Sequence, residues 1–92
     1  MKELDELTEV EKSVLIVSSI KLNHSLKCHQ PKQVILKGII NMNPKIRNKA
    51  FKSLVSNGFL VIHPTGRSTT YELTQKGLVA VDKLIKDNFN NL

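Results

Sequence analysis

Between Asn43 and Gly58 the chain marks both ends of one helix and then changes its hydrophobic period. Asn43 is a good N-cap, and Pro44 suits the first helical position, where its missing N–H leaves nothing unpaired. Asn57-Gly58 supplies the stop, because glycine readily takes the left-handed conformation that follows a last turn. Projection at about 100° per residue puts Ile46, Ala50, Phe51, Leu54 and Val55 on one side of this helix. Lys45, Asn48, Lys49, Lys52 and Ser56 fall on the other. Arg47 lies in the apolar arc and is expected to snorkel outward from the first turn. After Gly58 the period becomes two: Phe59–His63 and Ser68–Leu73 are β-prone runs bracketing Pro64-Thr65-Gly66-Arg67. That order of turn residues predicts a β-hairpin with a basic tip.

The rest of the chain supplies helices to either side. Thr8 and Glu11 form a capping box, and Val10, Val14 and Val17, with Leu15 or Ile16, give a helical stripe running to about Leu22. Asn23 to Gln30 reads as a polar loop with room for a short strand around Leu26 and Cys28. Pro31 suits the first turn of a second helix, with Val34, Ile35, Ile39 and Ile40 as its buried side and Gly38 weakening its end. Thr74 caps a last helix, whose stripe is Leu78, Val81, Leu84 or Ile85, then Phe89 and Leu92. With 92 residues there is material for one domain and no more. The predicted class is mainly α with a small β-hairpin (α+β). Its core is expected to gather Val14, Val17, Ile46, Ala50, Leu54, Leu60, Leu73 and Leu78.

Charge is distributed more tellingly than its total of +6. Residues 1–12 carry five acids (Glu3, Asp5, Glu6, Glu9, Glu11) and two lysines, a local balance of −3. From Ser13 to Tyr71, fifty-nine residues contain no acid and nine bases: Lys21, Lys27, Lys32, Lys37, Lys45, Arg47, Lys49, Lys52 and Arg67. Residues 72–92 balance three acids with three lysines. A solvated surface ordinarily mixes both signs. A long acid-free stretch is what a surface facing phosphates requires, since carboxylates there would be repelled.

The order helix, helix, helix, hairpin, helix resembles the winged helix-turn-helix family of DNA-binding proteins. Three stretches carry the resemblance: the lysine-bearing third helix Asn43 to Asn57, the exit Asn57-Gly58-Phe59-Leu60-Val61 into the first wing strand, and the Gly66-Arg67 wing tip. The return Tyr71-Glu72-Leu73-Thr74-Gln75-Lys76-Gly77 looks like the Tyr-x-Leu-Thr-x-x-Gly segment of many archaeal and bacterial winged-helix regulators. The likeness covers roughly residues 8 to 86. It implies a recognition helix, 44–57, in the major groove of double-stranded DNA and a basic wing, 64–68, beside it. Asn48 and Arg47 have the chemistry for adenine and guanine edges respectively. Lys45, Lys49, Lys52 and Ser56 suit phosphates, and Arg67 suits the minor groove or an adjacent phosphate. Small dimeric centromere-binding adaptors of plasmid and phage partition systems share the pattern with transcriptional regulators. A winged-helix module meeting an acidic protein is the alternative of a different class.

Other chemistries find little here. The four glycines sit at helix ends and turns, so no phosphate-cradling loop is present, and the acids cluster at the termini, away from any paired-carboxylate arrangement. No enzyme activity and no cofactor are expected. His24, Cys28, His29 and His63 lack a recognisable metal-binding spacing, so no metal site is predicted. One cysteine suits a reducing compartment, no apolar run approaches the roughly 18 residues of a membrane span, and the acidic N-terminus is unlike a signal peptide. A cytoplasmic protein is expected. The domain is read as 1–92, with an N-terminal extension 1–7 and a C-terminal helix 75–92 suited to dimerisation. Leu4 and Leu7 have no core role in this reading, and Leu78, Val79, Val81, Leu84, Ile85, Phe89 and Leu92 exceed what one buried stripe needs. A homodimer follows.

Overall fold

The computed structural model describes residues 1–39 and 41–90, with side chains described as far as Asn88. A one-turn 3-10 helix, Leu4–Glu6, leads into α1 (Glu9–Lys21). β1 (His29–Pro31) and α2 (Lys32–Leu36) follow, then α3 (Pro44–Ser56), β2 (Leu60–Pro64), β3 (Thr69–Leu73) and α4 (Gln75–Asn90). The expected α+β class holds, with one strand more than the hairpin supplies. The sheet is antiparallel with order β1-β3-β2, and β3 pairs His29↔Glu72 on one side and Leu60↔Leu73 on the other.

Local chemistry sets the element ends. At α1 the Glu11 amide donates to Thr8 Oγ1 (3.1 Å) and the Thr8 amide to Glu11 Oε1 (2.9 Å), the capping box read from the sequence. At α3 the Lys45 amide donates to Asn43 Oδ1 at 2.8 Å, and Gly58 follows the helix with φ +80°. At α4 the Gly77 amide donates to Thr74 Oγ1 at 2.9 Å. Thr74's hydroxyl in turn donates to Gly58 O, tying the hairpin's return to its exit.

α1 packs on α2, α3 and α4, and the sheet closes against α2 and α3. Val14, Ala50, Leu54, Leu60 and Leu73 are buried in this core as expected, and Val17 and Leu78 pack partly buried against it. Ile46 does not join them. It is 50% exposed, because α3's first turn runs beyond the core and leaves Ile46 on the rim of a groove with Val10. Leu7 is buried and Leu4 packs against the same cluster, so the segment before α1 belongs to the core.

Two further expectations shift. The strand after α1 forms at His29–Pro31, not around Leu26 and Cys28, because its pairing partner is β3. Pro31 ends that strand as the N-cap of α2, which begins at Lys32. Ile35 and Ile39 face inward, whereas Val34 is exposed. Ile40 and Leu92, and the side chain of Phe89, lie outside what is described. Among the described residues no helix is long and apolar enough to cross a membrane.

The first residues form a strap. The Lys2 amide donates to Asn57 Oδ1 at 2.8 Å, and Lys76 Nζ donates to Lys2 O (2.7 Å) and Asn57 O (2.9 Å) while lying 4.6 Å from the Phe59 ring centre. These contacts clamp the bend where α3 passes into β2.

Candidate nucleic-acid interface

Six of the seven residues read from the sequence as DNA contacts are exposed. Lys45, Asn48, Lys49, Lys52 and Ser56 lie along the outer side of α3, and Arg67 at the hairpin tip. α3 can present this side because its opposite side is fixed: Ala50, Phe51 and Leu54 are buried, and the Tyr71 ring meets Phe51 edge-to-face at 4.9 Å. The helix and the sheet are thereby held at one angle. Between them runs a groove lined by Asn48, Lys49, Lys52 and Ser56 from α3 and Ile62 and Tyr71 from the hairpin.

Lys32 completes this groove and was missed by the sequence reading. Its Nζ lies 5.6 Å from the centre of the Phe51 ring. The available signal was Lys32's place in the acid-free stretch. Only the position of α2's first turn against α3 brings it to the site.

Arg47 is the correction. Its Nη1 donates to Ile39 O (3.1 Å) and Leu36 O (3.5 Å), and its Nε is buried with no hydrogen-bond partner. α2 ends at Leu36, and a guanidinium from the neighbouring helix is well shaped to meet two carbonyls at once, Leu36 O at that end and Ile39 O in the turn beyond it. The side chain therefore turns back into the α2–α3 junction instead of outward.

At the hairpin tip, Thr65 Oγ1 accepts from the amides of Arg67 (3.3 Å) and Ser68 (3.0 Å), shaping the turn from inside. Five paired positions separate the tip from the core, from Leu60↔Leu73 to Pro64↔Thr69. Arg67 is thus carried roughly 14 Å outward at ~3.4 Å per residue.

The electrostatics is one-sided. The ion pairs among the described residues are Lys2–Glu11, Lys12–Glu9, His63–Glu72 and Lys76–Glu3. None involves a base of α3, Lys32 or Arg67, so no carboxylate among the described residues neutralises these charges. The histidines are engaged elsewhere: His29 and His63 stack at 4.3 Å, and His24 meets Ser19. No group of three metal-ligating side chains gathers among the described residues.

No family model matches the chain, and no curated protein matches it. Among solved structures it is similar to TubR bound to 24 bp of tubC, from Bacillus thuringiensis serovar israelensis pBtoxis. The TM-score is 0.66 at 16% sequence identity, over 86% of this chain and 83% of that one. The fold is a winged helix. In the terms of that fold, α3 is its third helix and β2–β3 form the wing. The third strand of the winged helix is β1, and Thr74 and Gly77 join the wing to α4. The Tyr-x-Leu-Thr-x-x-Gly segment of the winged helix has a physical reason here. A Cβ on Gly77 would lie 2.1 Å from Phe59 O, so the first turn of α4 reaches the wing's exit only with glycine at that position.

Proposed function

We propose that this protein binds double-stranded DNA, with α3 in the major groove and the wing tip on the adjacent backbone or minor groove, as a dimeric regulator. The observation that carries this reading is the exposed face of Lys45, Lys49 and Lys52 beside Lys32, with no carboxylate partner among the described residues. A major groove about 12 Å wide admits one helix, and a lysine face places its charges on the flanking phosphates. The likeness to TubR, solved bound to 24 bp of tubC, supports double-stranded DNA as the partner. A transcriptional regulator and a partition adaptor would use this surface alike, and a neighbouring gene for a filament-forming NTPase would favour the adaptor.

Fluorescence anisotropy on mixed-sequence duplex DNA at several salt concentrations tests the assignment. Each of Lys49→Ala, Lys52→Ala and Arg67→Ala should lower the log–log salt slope by about one unit while weakening all sequences alike. If Lys49→Glu combined with Lys52→Glu binds duplex DNA as tightly as the wild type, α3 is not the contact.

A further inference from the structure

α3 contains one arginine, one asparagine and no acid. In the major groove, arginine's two-pronged fork commonly reads guanine, asparagine reads adenine, and a carboxylate accepts from cytosine. The fold withdraws the arginine, since Arg47 is committed to Ile39 O and Leu36 O at 3.1 and 3.5 Å. Asn48 remains on the groove, with Ile62 opposite it on the wing, 51% exposed. Ile62 offers nothing to a phosphate. The feature of a duplex that its branched apolar side chain matches is the C5-methyl of thymine. Lysine also reaches guanine, but as a flexible point charge it gains as much from the phosphates that flank every sequence.

We propose that the groove between α3 and the wing selects A·T base pairs, with Asn48 on an adenine edge and Ile62 against a thymine methyl. This rests on the duplex-DNA reading above and adds the class of sequence that the surface takes.

The test uses the full chain and three duplexes of equal length: a central A·T tract, the same tract with deoxyuridine for thymidine, and a central G·C tract. Deoxyuridine removes the methyl group and keeps every hydrogen-bonding edge. The A·T duplex should bind about tenfold tighter than the G·C duplex. Deoxyuridine should weaken the wild type roughly fourfold, the worth of one buried methyl. Ile62→Ala should bind both A·T duplexes equally, and Asn48→Ala should lose most of the preference over G·C. Both positions are exposed, and circular dichroism checks that the variants fold. Equal or tighter binding to G·C overturns the proposal, as does a deoxyuridine effect that persists in Ile62→Ala. Failure to bind any of the three overturns the DNA reading itself.

Discussion

Glu11 is a carboxylate drawn inside the protein, and its surroundings decide how the fold responds to acid. Burial by itself would raise its pKa. Hydrogen bonds from the Ser53 hydroxyl, the Thr8 amide and Lys2 outweigh burial and hold it down from the ordinary 4.5 to about 2. A depressed carboxyl stabilises the folded state above its unfolded value, and that stability is lost as pH falls through the folded one. Between pH 4.5 and about 2, wild type should therefore lose up to about 3 kcal/mol that Glu11→Gln never had. Urea titrations of both proteins across that window should show their stability difference closing as pH falls. A constant difference means that Glu11 is not held ionised by these donors. The sequence showed half of this residue's role. Thr8 and Glu11 are three apart and the capping box is local, whereas Ser53 is 42 residues away and joins only through α1–α3 packing.

At the scale of elements, junctions matter more than interiors. An alanine replacing glycine inside a helix ordinarily gains about 1 kcal/mol. Gly77→Ala should instead destabilise by about 2 kcal/mol or more, since the new Cβ meets the backbone at Phe59 O and Phe59 C, 2.1 and 3.1 Å away. Equilibrium denaturation measures this directly, and a neutral or stabilising change would show that α4 can slide off the wing. Elements whose signals lie within a few residues were legible beforehand: the Asn43-Pro44 start, the Gly58 stop and the Thr65 turn. Ile46 and Arg47 were misplaced because a helical projection knows one helix at a time. Ile46 lies on the apolar arc but past the edge of the core, and Arg47's destination is set by where α2 ends. β1 was placed two or three residues early because a three-residue strand has no signal without its partner, whose pairing begins 43 positions on, at Glu72.

Seen whole, the molecule measures 44 × 28 × 24 Å. After Val81, its last buried residue among those described, α4 continues to Asn90, an overhang of roughly 13 Å at ~1.5 Å per residue. Ile85 on the overhang and Val79 before it are exposed, which sustains the proposal of a second copy packed on α4. Leu4 and Leu7 leave that proposal, being occupied within the chain. Two copies related by a two-fold axis would set their α3 helices in successive major grooves about 34 Å apart. Sedimentation equilibrium should show a dimer for the full chain and a monomer for a version ending at Lys83. A full chain that is monomeric at tens of micromolar sinks the dimer, and a truncated form that still dimerises moves the interface off α4.

The strap over the α3–β2 bend also sets an order of events in time. Lys2 is 55 residues from Asn57 and 74 from Lys76 along the chain. At the usual 5–20 residues per second of synthesis, Lys2 waits roughly 4–15 s before Lys76 exists. The bend that aims the wing is therefore locked only after α3 and the hairpin it joins have been made. In ribosome-arrested chains of increasing length, protease protection of Met1–Leu7 should arise only once Lys76 has left the exit tunnel. Protection in a chain arrested just past the hairpin would show that the bend locks without it.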